Sequence, residues 1–232
     1  MIKVIVFDIG RTLMEYVGMP NSWLEYYPAA FESVKNALKL EISEEDIAKS
    51  IEIFRSYSPR IKYREVDYSP EHIFGDVTSH WKCDFKLDDV INAFFGSMNL
   101  RAYIYPDTIP TLKKLRETGY KIATLTDVAT GMPDEMHKSY FAELLGYFDK
   151  YVSSVSCGYK KPNPKGLCEI AAEFGVTHDE MIMVGDEQKD ITVAKRFGCR
   201  SVLIDRDGSH PEYGQDEYII GLDELPELAA KM

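Results

Sequence analysis

Short apolar runs recur along the chain and are separated by stretches with helical periodicity. Five of these runs predict β-strands, at residues 4–7, 121–125, 151–154, 181–184 and 201–204. The runs are continuously apolar rather than alternating, which is typical of strands that are covered on both faces. The pattern therefore predicts an α/β fold in which helices wrap a parallel sheet.

Glycines mark the ends of three predicted helices. The helical patterns cover residues 111–118, 164–174 and 188–197, and the glycines that follow them are Gly119, Gly175 and Gly198. A left-handed backbone conformation commonly ends a helix, and glycine adopts it without steric cost. All three junctions therefore lead from a helix toward a strand, as an α/β fold requires.

The first two predicted strands are separated by more than a hundred residues, far more than one crossover helix needs. Apolar residues fall at helical spacing in four parts of this stretch, near residues 23–38, 47–54, 74–81 and 91–98. Ser43 and Ser69 stand where the second and third helices need an N-cap. The many aromatic residues there fit the core of a helical bundle. We therefore predict a small all-α cap domain at residues 15–100, with the core domain formed by residues 1–14 and 101–232.

The composition favours a small ligand over a nucleic acid. The chain has 232 residues, 45% of them apolar, which is enough for a large core and an inserted second domain. Its net charge of −11 and pI near 5.0 disfavour nucleic acid and anionic membranes, because these are bound by clustered lysine and arginine. Since no coiled-coil pattern is present, we expect a monomer or a weak homodimer.

The first residues and the cysteines indicate a cytoplasmic protein. The apolar stretch in MIKVIVFD is too short for a signal peptide or a membrane span, and no later run approaches the ~18 residues of a spanning helix. The four cysteines are widely spaced and form no CxxC pair. They therefore predict neither a zinc site nor a disulfide framework.

Polar residues follow four of the predicted strands at or just beyond their carboxyl ends. They are Asp8 after the first strand, Thr126 and Asp127 after the second, Lys160 and Lys161 after the third, and Asp186 and Asp190 after the fourth. Each residue taken alone fits an ordinary turn or helix cap. Because ligands bind beyond the carboxyl ends of parallel strands, we expect the whole set to meet at one edge of the sheet.

The expected cluster has a definite chemistry. Carboxylates that meet at one sheet edge repel each other unless a cation lies between them, and oxygen ligands of this kind suit Mg²⁺. A lysine and a hydroxyl beside such a metal would bind phosphoryl oxygens and offset developing negative charge. The set therefore indicates a Mg²⁺ site that binds a small phosphorylated molecule.

Four segments of the chain, VIVFDIGRT, ATLT, GYKKPNP and VGDEQKD, resemble the motifs of the haloacid dehalogenase (HAD) superfamily of hydrolases, most of which are phosphatases. The correspondence spans both ends of the chain, and the four motifs together are specific. The resemblance implies a Rossmann-like core, a helical cap inserted just after the first motif, and an active site between the two. It also implies a Mg²⁺-dependent hydrolase that acts on a small phosphorylated metabolite through an aspartyl-phosphate.

The resemblance also implies roles for individual residues. Asp8 is expected to be the nucleophile, and Thr126 and Lys161 are expected to bind the phosphoryl group. Asp127, at a position where many relatives carry asparagine, is a further candidate substrate-binding residue. Lys161 matches the family's lysine because it immediately precedes a proline, so Lys160 is expected to be solvated.

Gly10 is where the chain departs from the family pattern. The Mg²⁺ ligands that the resemblance implies are Asp8, Asp186, Asp190 and the backbone carbonyl of Gly10. The family's phosphatases carry an aspartate at this last position, which protonates the leaving oxygen and then activates water. Glycine keeps the carbonyl but cannot transfer a proton. Because general acid–base assistance contributes ~10²–10⁴-fold, we expect weak or substrate-selective turnover.

Three interpretations of Gly10 stay open. The first is a phosphohydrolase that uses another acid or a substrate with a good leaving group, such as an acyl or aryl phosphate. The candidate acids are Glu15, Glu187, His72 and His80. The second is carbon–halogen or carbon–phosphorus cleavage, since dehalogenases and phosphonatases of the family also lack this aspartate. The third is a non-catalytic protein that binds a phosphorylated ligand or a protein partner.

Arg11 lies next to Gly10, in the turn after Asp8, and is expected to face solvent or an anionic substrate.

Overall fold

The structure of the chain is a computed structural model and describes residues 1–18, 22–209 and 211–232. The strands are β1 (Val4–Phe7), β2 (Met14–Tyr16), β3 (Ala102–Ile104), β4 (Lys121–Thr126), β5 (Lys150–Ser153), β6 (Met181–Gly185), β7 (Arg200–Ile204) and β8 (Glu217–Ile219). The helices are α1 (Tyr27–Leu38), α2 (Glu44–Ser56), α3 (Pro70–Thr78), α4 (Leu87–Gly96), α5 (Thr108–Glu117), α6 (Asp134–Ser139), α7 (Ala142–Leu145), α8 (Ser154–Cys157), α9 (Lys165–Phe174), α10 (Gln188–Phe197) and α11 (Leu225–Ala229). None of these described helices is long and apolar enough to span a bilayer.

Six strands form one parallel sheet in the order β5-β4-β1-β6-β7-β8. The predicted α/β fold with a Rossmann-like core is confirmed, and all five predicted strands are present. β8 is a sixth strand that the sequence pattern did not predict. Its three residues include the exposed Glu217 and the half-buried Tyr218, so they form no apolar run.

The two faces of the sheet bury different apolar clusters. Ile5 and Phe7 of β1 pack into one cluster, whereas Val4 and Val6 pack into another. Successive side chains of a strand point to opposite faces of a sheet. The continuous apolar run of β1 is therefore explained by the presence of a core on both of its sides.

The three predicted helix ends at glycines are confirmed, whereas helix starts differ from the pattern, since α5 begins at Thr108 rather than at residue 111. The left-handed residues after α5, α9 and α10 are Gly119, Gly175 and Gly198, with φ angles of +94°, +62° and +93°. Ser43 and Ser69 cap α2 and α3, since each side chain accepts a hydrogen bond from the backbone N–H three residues later. α1 begins at Tyr27, later than the apolar spacing predicts, because Pro28 favours the first turn of a helix.

The helices α1–α4 form a helical insertion, residues 22–98, between β2 and β3. These two strands pair antiparallel as a ribbon, so the chain leaves the core and returns to it at one place. The insertion has its own apolar core around Phe54, Phe74 and Phe94, whose ring centroids lie 4.9 to 5.3 Å apart. This packing agrees with the predicted helical bundle, whereas the predicted domain boundaries stay a prediction.

Candidate active site

The carboxyl ends of β1, β4 and β6 bring the predicted site residues together. Because β4 and β6 both pair with β1, the strand ends that carry Asp8, Thr126 and Asp186 are neighbours. Asp8, Asp186 and Asp190 offer carboxylate oxygens that lie within 4.8 Å of one another. Strand ends of this kind are where parallel sheets bind ligands. The sheet edge therefore carries the acidic cluster that the sequence predicts.

Asp190 is held in place by the turn that precedes α10. The residue is fully buried, and its Oδ2 accepts a 2.9 Å hydrogen bond from the backbone N–H of Glu187. Gly185 leaves the space that this side chain occupies, because a Cβ at position 185 would lie 2.3 Å from Asp190 Cγ. A side chain at Gly185 would therefore displace Asp190 from the cluster.

Lys161 places a positive charge among these acids. Its Nζ lies 2.6 Å from Asp8 Oδ1 and 2.6 Å from Asp190 Oδ1, and its side chain is fully buried. Burial opposes the charged form, but the carboxylates of Asp190 and Asp8 outweigh burial and raise the pKa of Lys161 well above its ordinary value. Lys161 is therefore a fixed cation at the centre of the site.

Asp186 is paired less closely than the other two acids. Burial, together with repulsion from Asp8 and Asp190, raises the pKa of Asp186 to about 8. Arg11 lies 3.6 Å from the Asp186 carboxylate, but it is largely exposed, as expected, and pairs with Asp207 at 3.1 Å. Three acids around one buried ammonium leave an excess of negative charge. These oxygen donors fit a hard divalent cation such as Mg²⁺.

Thr126 and Asp127 lie at the end of β4 and line a cavity beside the acids. Asp127 Oδ1 accepts a 2.9 Å hydrogen bond from the backbone N–H of Lys161, and its Oδ2 lies 3.2 Å from Lys189 Nζ. Burial alone would raise the pKa of Asp127, but the ammonium groups of Lys189, Lys161 and Lys160 hold it below its ordinary value. Asp127 is therefore an anion that fixes the backbone of Lys161.

The expectation that Lys160 is solvated is wrong. Its side chain is 4% exposed, and its Nζ lies 2.8 Å from Asp67 Oδ2 and donates a 2.9 Å hydrogen bond to the Val128 carbonyl. Asp67 belongs to the helical insertion, and its side chain is also buried. Lys160 therefore joins the insertion to the loop after β4, and it is kept from solvent by residues that are distant in the sequence.

A cavity of about 500 Å³ lies between the strand ends and the helical insertion. The core lines it with polar groups, among them Asp8, Gly10, Thr126 and Asp186. The insertion contributes larger and partly aromatic groups, among them Trp23, Leu24, Tyr27 and Arg60. The volume and the mixed lining suit a small metabolite.

Two of the four candidate acids line this cavity. Glu15 and Glu187 do so, whereas His72 and His80 lie within the helical insertion and make hydrogen bonds there. Glu187 lies 2.7 Å from Lys189 Nζ. Although burial opposes the charged form, this ammonium lowers the pKa of Glu187. Glu187 is therefore held as an anion rather than as a proton donor.

His137 and Lys189 line the cavity although no sequence pattern indicated either of them. Lys189 lies between Asp127 and Glu187, at 3.2 Å and 2.7 Å from their carboxylates. His137 is buried, and its Nδ1 lies 3.0 Å from the hydroxyl of Tyr151. Lys189 lies at an unassigned position of the VGDEQKD motif, and His137 lies in a segment without a motif, so neither was assigned a role from the sequence.

One family model and several known proteins match the chain. The model described as haloacid dehalogenase-like hydrolase matches residues 2–198, which include every predicted site residue. A glyceraldehyde 3-phosphate phosphatase of Methanopyrus kandleri is 30% identical over 227 residues, which cover 89% of this chain and 85% of that protein.

Solved structures share the fold over almost the whole chain. A HAD phosphatase from Thermococcus onnurineus is 25% identical with a TM-score of 0.63, covering 98% of this chain and 97% of that one. A 2-haloacid dehalogenase from Pseudomonas syringae pv. Tomato DC3000 has a TM-score of 0.70 and covers 100% of this chain and 99% of that one. Because it is only 22% identical, the second likeness shows the fold alone.

Proposed function

The chain belongs to the haloacid dehalogenase-like hydrolases, and from this membership we propose that it is a Mg²⁺-dependent phosphohydrolase that acts on a small phosphorylated metabolite. The observation that carries the proposal is the buried Lys161 ammonium between Asp8 and Asp190, with Asp186 beside them. A phosphoryl group carries several anionic oxygens, so its binding needs fixed cations at the point of attack. The phosphatase among the relatives supports the same substrate class.

Asp8 is the proposed nucleophile. Its carboxylate borders the cavity and is fixed by the ion pair with Lys161, which leaves an oxygen available to attack phosphorus and form an aspartyl-phosphate. The Thr126 hydroxyl and the Lys161 ammonium would bind the phosphoryl oxygens. Asp127 would assist by holding the backbone of Lys161 in place.

Asp8, Asp186, Asp190 and the Gly10 carbonyl are the groups that would hold Mg²⁺. When bound, the ion would offset the negative charge of the acids and of a phosphoryl group. The raised pKa of Asp186 supports this assignment, because it reflects an acid that lacks sufficient neutralisation from the chain's own cations.

Proton transfer is the step for which the chain is poorly equipped, because Gly10 has no side chain. Of the candidate acids, Glu15 is the preferred substitute, since it lines the cavity and no described cation pairs with it. Acyl and aryl phosphates need less proton transfer, because their leaving groups are stable as anions. We therefore expect turnover to be weak with alkyl phosphates and stronger with these activated esters.

We further propose that the helical insertion acts as a cap domain that covers the substrate. The β2–β3 ribbon joins it to the core at one place, and it packs around its own aromatic core. The cavity lies between the insertion and the strand ends. This position suits a role in choosing the substrate, while the core residues carry the chemistry.

A screen of phosphorylated metabolites with and without Mg²⁺ tests the proposed function. We expect Mg²⁺-dependent release of orthophosphate that is lost in Asp8→Asn. Asp207→Asn, at an exposed carboxylate outside the cluster, is the matched control and should keep the activity. Turnover that survives in Asp8→Asn would contradict the proposal.

A non-catalytic function is the second candidate, and the glycine at position 10 is the observation that favours it. Binding of a phosphorylated ligand without turnover would support it. Chloride release from haloacids, or consumption of phosphonoacetaldehyde, would support carbon–halogen or carbon–phosphorus cleavage instead.

A further inference from the structure

Two consecutive lysines are buried at the candidate active site, but only one of them contacts the proposed nucleophile. Lys161 Nζ lies 2.6 Å from Asp8, whereas Lys160 Nζ lies 2.8 Å from Asp67 of the helical insertion. Both lysine side chains are almost completely buried. Some feature of the fold must therefore direct the two ammonium groups to different anions.

Asp67 is a buried carboxylate with two cationic partners. Its Oδ2 faces Lys160, and its Oδ1 lies 3.1 Å from Arg64 Nη1. Its backbone N–H donates a 2.8 Å hydrogen bond to the carbonyl of Gly158, in the segment that leads to Lys160. Its side chain is 2% exposed. Asp67 is thus fixed through its main chain as well as its side chain.

Lys160 stays within electrostatic reach of the reacting groups. It lines the same cavity as Asp8 and Asp127. Its remaining contacts are neutral acceptors, the Val128 carbonyl at 2.9 Å and the Ser154 hydroxyl at 3.4 Å. A buried ammonium without an anion is costly. Without the charge of Asp67, Lys160 would therefore turn to the carboxylates of the site.

We propose that Asp67 is a positioning residue that keeps the Lys160 ammonium away from Asp8 and Asp127, so that Lys161 alone engages the nucleophile. The inference rests on the proposed phosphohydrolase function and extends its site to the helical insertion. Loss of the Asp67 charge would add a mobile cation to the cavity. Anions would then bind more tightly, while the nucleophile would be occupied by a second ammonium.

The variant Asp67→Asn tests this role, because it keeps the size of the side chain and removes its charge. We expect kcat for a phosphate ester to fall by about tenfold. We also expect KM, and the Kd for orthophosphate measured by calorimetry with Mg²⁺, to fall by about threefold. Addition of Lys160→Met should return kcat to within about threefold of the starting protein and should remove the threefold decreases in KM and Kd.

The double variant distinguishes a positioning role of Asp67 from a purely structural role, in which its ion pair only attaches the insertion to the core. Neither Asp67→Asn nor the double variant contains the ion pair, so a purely structural role would leave both equally impaired. Glu65→Gln is the matched control, since Glu65 lies in the same segment and its side chain contacts Arg196 and Asn163 of the core rather than the Lys160 ammonium. Its backbone carbonyl, which accepts a 2.7 Å hydrogen bond from the Lys160 N–H, is unchanged in this variant. It should keep kcat and KM unchanged.

Several results would overturn the inference. They are an unchanged kcat in Asp67→Asn, a loss that Lys160→Met does not reverse, and an orthophosphate affinity that Asp67→Asn leaves unaltered. The orthophosphate titration decides even when the starting protein shows no turnover, which would contradict the proposed function alone. If Asp67→Asn does not fold, the double variant decides, because it leaves no unpaired ammonium at position 160. A kcat and an orthophosphate affinity within about threefold of those of the starting protein support the inference, whereas losses of about tenfold overturn it.

Discussion

Lys161 Nζ lies 2.6 Å from the Asp8 carboxylate, although 153 residues separate the two in the chain. The same ammonium lies 2.6 Å from Asp190, and Asp186 completes the cluster. One buried cation thus pairs with two of three largely buried acids. Removal of the cation and removal of an acid should therefore change stability in opposite directions, which tests the site without any substrate.

Lys161→Met should strongly destabilise the metal-free protein. Methionine keeps an unbranched apolar side chain but leaves Asp8 and Asp190 without their ammonium. Breaking a buried ion pair from one side costs about 3–5 kcal/mol, and urea unfolding measures the loss. Lys165→Met, at an exposed lysine, is the control and should cost less than about 0.5 kcal/mol. Equal losses in the two variants would contradict the central position of Lys161.

Asp186→Asn should stabilise the metal-free protein and abolish its response to Mg²⁺. The amide replaces an acid whose ionisation is opposed by burial and by the two neighbouring carboxylates, for a gain of about 1 kcal/mol. Mg²⁺ at a hundredfold excess over its Kd should add about 2.7 kcal/mol to the starting protein. Thermal melts with and without Mg²⁺ measure both effects, and Asp207→Asn should behave like the starting protein. An Asp186→Asn variant that still responds fully would place the metal elsewhere.

Gly10→Asp should increase the turnover of ordinary alkyl phosphates. A Cβ at position 10 meets no atom within 4 Å, so the first atom of a new side chain fits without a clash. The added carboxylate can protonate the leaving oxygen, and we expect a gain of at least ~10-fold in kcat. Gly10→Asn has the same shape without the acid and should give no gain. A gain in both variants, or in neither, would show that proton transfer is not the missing function.

The sequence predicted those parts of the fold that depend on neighbouring residues. β1, β4, β6 and β7 are buried on both faces, so each of them has a mostly continuous apolar sequence. The ribbon β2–β3 and the edge strand β8 were missed. Each has three residues and at least one exposed side chain, so the apolar pattern is too short to identify them.

The same limit applies to the site. The convergence of Asp8 and Asp186 could be predicted, because the topology of a parallel sheet brings strand ends together. The pairing of Asp67 with Lys160 could not, because burial of that lysine depends on how the helical insertion packs on the core. A lysine in a polar loop carries no local sign of such a contact. Tertiary ion pairs of this kind therefore could not be predicted from the sequence.

His137, which is buried beside the cavity, makes the stability of the protein depend on pH. Its ring centroid lies 5.0 Å from that of Phe141, and its Nδ1 lies 3.0 Å from the Tyr151 hydroxyl. Burial lowers the pKa of His137 to about 4. The unfolded chain binds the same proton near pH 6.5, so it holds more protons than the native state between these values. Stability should therefore fall as the pH falls from about 6.5 to about 4.

His137→Gln tests this dependence, because glutamine keeps a polar partner for Tyr151 and does not titrate. Across the full window the starting protein should lose about 3 kcal/mol relative to the variant, measured as the difference between their unfolding free energies at each pH. The subtraction removes the contribution of the carboxylates, which titrate in both proteins. Parallel curves of unfolding free energy against pH for His137→Gln and the starting protein would mean that His137 accepts its proton as readily in the folded state as in the unfolded chain. Such a result would contradict a buried, neutral His137 ring.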